Sequence, residues 1–393
     1  MALTSDGNRH MFVDSLRGFA LLGIVLVNIE FIVQPSEIGW LHYSSASDRA
    51  VRWLVVALGQ TKIYPLFALL FGYGLTVQLN RSVDGSGSDL WLRYRRRMIG
   101  IGLLGVLHGV MFFPGDILAI YAVIGAFSFR FRNKPSKTLI TTGAAVYATA
   151  TAGWLILGAF DAVAYSPVAP VSADAVQVLG NGSFGEVVVV HFFYWLVTLA
   201  VLTAVQGPAV FASFLVGIAL GRTNILAEPS RHRERSNRAL RWSIPGLCLA
   251  AVGATLSLLG GRWDALGFAV GFGGAPLVAS GYIAGLAHIL ARRHRLSALL
   301  QAAGRMSLTV YLLESVVAST IAYGYGLGRF GETGPLAGVA IAGSIWLTLS
   351  GFAFAWMRYA RFGPFEWALR SFTYGQRAPL RADTSAQRNS MPS

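Results

Sequence analysis

Apolar residues in this chain come in long runs, not in the alternating or half-faced patterns of partly solvated elements. Runs near the roughly 20 residues that cross a bilayer occupy 12–33, 51–79, 98–114, 116–129, 138–160, 242–260, 265–290, 304–328 and 335–357. A further stretch, 187–221, is long for one crossing and is interrupted by Gln206-Gly207-Pro208. The punctuation between runs is mostly arginine. Arg81, Arg93, Arg95, Arg96 and Arg97 form one basic loop, and Arg130, Arg132, Lys134 and Lys137 form the next. Similar blocks run from Arg222 to Arg241, from Arg292 to Arg305, and from Arg358 to Arg388. The positive-inside rule assigns all of them to the cytoplasmic side. The segment 161–186 carries Asp161, Asp174 and Glu186 with no Lys or Arg, so it belongs outside. The chain must return to the basic side by Arg222, which makes 187–221 a single long or broken crossing. The pattern predicts an all-α polytopic membrane protein, a bundle of about ten transmembrane helices with both termini cytoplasmic.

Residues 1–376 read as one transmembrane helical domain. The loop 161–186 has no helical period and is expected to form a small external lid, and 377–393, polar and rich in Ser, Arg and Pro, a disordered cytoplasmic tail. The first run holds Asp14 and Arg17 and is not followed by a small-residue cleavage site, so it is not read as a signal peptide. No repeat of 20–50 residues is visible.

Composition agrees. Of 393 residues, 54% are hydrophobic and 13% charged, against about a quarter charged in soluble domains, which excludes a soluble two-domain enzyme. The net charge of +14 does not imply nucleic acid, because the arginines lie between apolar runs. The partner it implies is the lipid bilayer. The lone Cys248 allows neither an intramolecular disulfide nor a cysteine-based zinc site. HExxH, Walker and GxSxG motifs are absent from the sequence, and so is a metal-ligand cluster.

Chemistry is therefore sought among ionisable groups inside apolar runs, where each costs about 2.5–3.5 kcal/mol on insertion scales and so faces a bundle interior or wet cavity. The first run holds Asp14, Arg17, Asn28 and Glu30, with Asp14 and Arg17 three apart on one helix face. That pair either orients helix one or meets a ligand phosphate or carboxylate. His108 lies in LLGVLHGVMFF, and Asp116 follows the Pro114-Gly115 turn. A hairpin there brings the two to a common outward cavity, where a carboxylate can orient an imidazole base. A buried structural imidazole is the bland alternative. Lys62 precedes Pro65 in GQTKIYPLFALLFGYG, and a helix break at Pro65 would make the lysine an anion contact lining a cavity. Snorkelling is its alternative. Glu314 falls near mid-bilayer and needs a cationic or hydrogen-bonded partner. His191 and His288 read as interfacial, and His42, in the first external loop, is a weaker candidate base. The block WLRYRRR, with Arg93, Arg95, Arg96 and Arg97, is a topology signal or a seat for a phosphorylated cytosolic ligand.

Several of these stretches resemble one family. VDSLRGFALLGIVLVNI, KIYPLFALLFGYG, LLGVLHGVMFFPGDILAIYAVIG, LVGIALGR, GRMSLTVYLLES and FGPFEWALRSFTYG are similar to the YeiB-like bacterial membrane proteins (domain of unknown function 418), over nearly the whole chain. More remotely the family groups with transmembrane acyltransferases, among them the acyltransferase 3 proteins and heparan-α-glucosaminide N-acetyltransferase. These move an acyl group from cytosolic acyl-CoA to an acceptor on the far side. Acyltransferase 3 proteins usually carry a histidine eleven positions after the opening arginine; here Asn28 stands there, which leaves His108 as the better base.

The resemblance and the residues together imply a membrane acyltransferase with acyl-CoA as cosubstrate and no permanently bound cofactor or metal. Arg17, Arg93, Arg95, Arg96 and Arg97 would hold the donor, with Asp14 beside Arg17. Lys62, Asn28 and Glu314 would line the substrate path. His108, oriented by Asp116, would deprotonate a hydroxyl or amine of a small-molecule or envelope acceptor, at the bacterial plasma membrane. The alternatives are a transporter or exporter using the same groups for proton coupling, and a non-catalytic partner in envelope assembly.

Overall fold

The computed structural model describes residues 5–34, 45–81, 87–166, 172–223 and 225–380. The regular structure of these residues is helical: α1 (Ser5–Val33), α2 (Ala46–Leu54), α3 (Ile63–Arg81), α4 (Gly87–Met111), α5 (Leu118–Ser128), α6 (Ser136–Val163), α7 (Ala173–Asn181), α8 (Phe184–Gly221), α9 (Arg233–Leu259), α10 (Asp264–Leu290), α11 (His294–Arg305), α12 (Ser307–Ala322), α13 (Pro335–Trp356) and α14 (Pro364–Tyr374). Among the described residues, seven stretches are long and apolar enough to cross a bilayer: Met11–Val33, Ala46–Val77, Ser136–Val163, Phe184–Gly221, Arg233–Leu259, Gly261–Leu290 and Pro335–Trp356. The other expected crossings fall on weaker candidates. These are α4, whose first half holds the arginines, the short apolar Leu118–Phe131, and α12, which meets α11 at a bend of 86°.

Helix α1 forms the centre, packed by α11, α12, α13 and α3, with Leu16, Leu21, Ile24 and Ile29 fully buried. The outer helices show the reverse. Along α6 and α8, Phe160 is 68% and Phe193 62% exposed, side chains that only lipid would solvate favourably. Without a hydrophobic drive between helices in lipid, association rests on close backbone approach. The α3–α8 contact shows it: a Cβ at Gly72 would fall 2.2 Å from the Phe214 carbonyl oxygen, and one at Gly217 2.1 Å from that of Leu69.

Two expectations need correction. The 161–186 loop is more helical than its sequence pattern predicts. The end of α6 runs to Val163, α7 occupies Ala173–Asn181 under an Ser172 cap, and α8 opens on a capping box between Ser183 and Glu186. Capping, not apolar periodicity, starts these helices. The break near Lys62 also lies upstream of the proline. The chain leaves α2 through a π-helical turn, Val55–Gly59, and turns at Gln60–Lys62, with Thr61 at φ 63°. Pro65 sits in the first turn of α3, where its missing amide would have had no helical partner anyway. The long stretch at 187–221 is a single helix with Pro208 inside it.

At the other end of the bundle, Glu366 of α14 caps α12. Its carboxylate accepts from the Leu308 amide at 2.6 Å, the Thr309 amide at 3.0 Å and the Thr309 hydroxyl at 2.6 Å. Burial pushes this carboxyl above its ordinary range, and those donors pull it back.

The single crossing by α8 has a direct test. Reporter fusions after Ser172 and after Ser230 are expected to report opposite sides of the membrane, since α8 lies between them with the arginine block after it. The same side for both would refute this topology.

Candidate functional site

The α4–α5 hairpin assembles the polar centre. Gly105 lets the two helices approach, since a Cβ there would lie 2.5 Å from the Ala119 amide nitrogen and 2.8 Å from Asp116 Oδ1. Asp116 caps the start of α5: its Oδ1 accepts from the amides of Leu118 at 2.8 Å and Ala119 at 3.3 Å. The other oxygen, Oδ2, lies 2.8 Å from His108 Nδ1 and accepts the Tyr311 hydroxyl at 3.0 Å. Both residues are buried, His108 to 4% and Asp116 to 1% exposure. A carboxylate so fully engaged as acceptor assigns the imidazole proton to Nδ1. Nε2 then keeps its lone pair, and it is buried with no hydrogen-bond partner among the described residues. This is the arrangement of a base held in one tautomer by an orienting carboxylate.

Other unpartnered polar atoms gather here. Trp195 of α8 packs against Gly109, with its indole nitrogen buried and unpartnered among the described residues. One turn earlier lies His191, buried, with its ring packed on Tyr323 at 5.0 Å. Its nitrogens make no well-formed hydrogen bond among the described residues, though the Met111 backbone is close. His288 is the exposed one, bonded at 2.9 Å to the Ala284 carbonyl. His42 lies outside the described residues.

Asn28 is joined to this centre through tyrosines, not through an open cavity. The Tyr64 hydroxyl donates to Asn28 Oδ1, and the Tyr64 carbonyl accepts the Tyr121 hydroxyl at 2.7 Å. Tyr121 in turn lies within electrostatic reach of Asp116. Neither His108 nor Asp116 lines the groove beside Trp91 and Phe127 or the small cavity beside Tyr64. The latter, also lined by Pro65 and Gln206, has a volume of about 10 Å³, room for about one water.

Next to Asn28 a second polar knot ties α1 to the α2–α3 break. Glu30, fully buried, accepts from Arg52 at 3.1 Å and from Gln60 at 2.5 Å. Lys62 does not snorkel. Its side chain is 2% exposed and donates to the Val56 carbonyl at 3.0 Å, satisfying a group that the π-helical turn releases. Glu314 departs from expectation: it is buried on α12, and neither carboxylate oxygen has a partner among the described residues.

The remaining predicted residues lie toward the arginine-rich end. Asp14 and Arg17 form an ion pair at 2.8 Å. Arg97 is within electrostatic reach of Arg17 and of Arg370 on α14. Arg93 and Arg370 both lie over the Tyr374 ring, at 5.9 and 4.9 Å, and Arg96 comes close to Gly375, whereas Arg95 is exposed. Three helices, α1, α4 and α14, thus bring guanidinium groups together, and Arg370 was not foreseen from sequence.

Comparisons with known proteins bear on this geometry. The family model described as "Protein of unknown function (DUF418)" matches residues 220–376. The chain is 31% identical to the uncharacterized protein YxaH of Bacillus subtilis, covering 97% of this chain and 98% of the relative. The chain belongs to the DUF418, or YeiB-like, family. It is also 30% identical to the uncharacterized protein YeiB of Escherichia coli, over 96% and 99% of the two chains. A 39.9 kDa protein from the amylase 3' region of Bacillus acidopullulyticus matches at 24% over 94% of each. The resemblance read from the motifs is therefore the family, and this DUF418 protein is a bacterial integral membrane protein. The family model spans Tyr311, Glu314, Glu366 and Arg370, while His108 and Asp116 lie before it.

Tyr64, Tyr121, Tyr311, Arg52 and Gln60 were missed as site residues. The signal was present for the tyrosines, each a hydroxyl inside an apolar run (KIYPLF, LAIYAV, LTVYLL), and buried hydroxyls need partners.

Proposed function

We propose that this DUF418 protein is an acyltransferase of the bacterial plasma membrane, moving an acyl group from cytosolic acyl-CoA to a hydroxyl or amine presented from the outer face. The observation that carries the reading is His108: Nδ1 bound to a saturated Asp116, Nε2 buried and unpartnered among the described residues. Nε2 takes the proton of the acceptor as its oxygen or nitrogen attacks the thioester carbonyl. The C–S bond breaks, and the leaving thiolate takes that proton from the imidazolium. Trp195, its indole N–H unpartnered against Gly109, donates to the carbonyl oxygen as negative charge develops there. Arg17, Arg96, Arg97 and Arg370 hold the phosphates of the donor. His108 is enclosed by Tyr311 and Phe112, with ring distances of 5.2 and 6.4 Å, so substrate entry requires these side chains to move.

Coenzyme A is expected to raise the thermal midpoint of the purified protein in a concentration-dependent way, by ligand linkage. Arg97→Gln with Arg370→Gln should weaken that response. No stabilisation by coenzyme A or acyl-CoA would refute the donor assignment.

One observation favours a second reading, proton-coupled transport: the buried Glu314, unpartnered among the described residues and of a type that marks proton relays in membranes. Under that reading Glu314→Gln abolishes solute movement, and coenzyme A has no effect on stability.

A further inference from the structure

On the outer flank of the α4–α5 hairpin, at its arginine-bearing end, lies a groove of about 450 Å³ lined by Trp91, Val123, Ala126, Phe127, Phe129 and Arg130. Its walls are set by ring packing, with Trp91 and Tyr94 each 4.9 Å from Phe129. Its floor is apolar and open: Val123 is 71% exposed and Phe127 45%. The rim is cationic. The Arg130 guanidinium lies over the Phe127 ring at 5.3 Å, and that of Arg132 over Phe129 at 4.1 Å. Arg222 joins them, donating to the backbone carbonyls of Lys134 and Arg132. Between Trp91 and Lys137 the sequence holds a single carboxylate, Asp116, and it is engaged at the other end of the hairpin.

We propose that this groove binds one anionic phospholipid. An acyl chain lies along Val123, Ala126 and Phe127, and the phosphodiester meets Arg130. A guanidinium resting on a ring face keeps its edge N–H groups free for a bidentate phosphate contact. Trp91 adjoins the arginine block 93–97, and indoles beside such blocks settle at the headgroup level. The headgroup must be anionic because a choline or ammonium would be brought against three arginines, whereas a net negative lipid gains from each. The site is separate from the His108 centre, and lipid binding there requires no acyl transfer.

The test is native mass spectrometry of the delipidated full-length protein in detergent, titrated with dioleoylphosphatidylglycerol or dioleoylphosphatidylcholine, with excess inorganic phosphate as competitor. One phosphatidylglycerol is expected to be retained several-fold more tightly than phosphatidylcholine, with phosphate failing to displace it. Arg130→Gln should weaken it about fivefold, the scale of one basic residue at an anionic surface. Val123→Trp, filling the groove from an exposed position, should lower occupancy with Arg130 intact, while Arg292→Gln, at an exposed arginine outside the groove lining, should change nothing. Equal binding of the two lipids, native-like binding by both groove variants, or displacement by phosphate alone would each overturn the proposal. Because the readout is lipid occupancy, it fails or succeeds independently of coenzyme A stabilisation.

Discussion

Substitution of His108 by glutamine is expected to lower acyl transfer by about 10²- to 10⁴-fold, the usual contribution of a positioned general base. The effect should fall on turnover, with the thermal midpoint and the response to coenzyme A preserved. Glutamine can still donate to Asp116 from its amide, so the hairpin keeps its contact, but no basic lone pair remains where Nε2 was. Asp116→Asn should reduce transfer less. It removes the orienting charge and disturbs the imidazole tautomer, yet leaves the base in place. Radiolabelled acyl transfer in proteoliposomes, with acyl-CoA on the arginine-rich side, measures both. Normal transfer by the His108→Gln variant would refute the mechanism whatever the geometry.

Removal of Arg52 should be the most destabilising single change at the α1–α2 junction. Glu30 has no exposure and bonds Arg52 and Gln60. Arg52→Met leaves that carboxylate without its guanidinium, a loss of about 3–5 kcal/mol for breaking a buried pair. The double variant Glu30→Leu/Arg52→Met should recover most of this, because the buried carboxylate is removed together with its guanidinium. Thermal midpoints in detergent and the folded fraction on size-exclusion chromatography provide the check. A single variant as stable as the native protein, or a double variant no better than the single, would count against an energetic role for the pair.

The two predictions rest on different amounts of tertiary information. The pairing of His108 with Asp116 was open to inference because a short turn, Pro114-Gly115, holds both ends of one hairpin. Eight residues of separation confine the search to local geometry. Glu30 and Arg52 are 22 apart across residues the pattern leaves as loop, and no periodicity links them.

By itself the sequence determined the class of molecule: helical, membrane-embedded, with arginines segregated between apolar runs. Those properties follow from the transfer free energy of each segment, which depends on composition alone. It also determined the family, because the motifs are contiguous strings. Tertiary structure alone decided which buried polar groups found partners. Tyr311 reaches Asp116 from 195 residues away, and Arg370 joins Arg17 and Arg97 from the far end of the chain. It also decided that Lys62 turns inward to a carbonyl freed by the π-helical turn, and that Glu314 remains without a partner among the described residues. Burial is a property of a residue's neighbours in space, and in a bundle most of those neighbours come from helices distant in sequence. An apolar run predicts a helix in the membrane; the rotation of that helix, which selects the polar atoms that meet, is set by packing against the others.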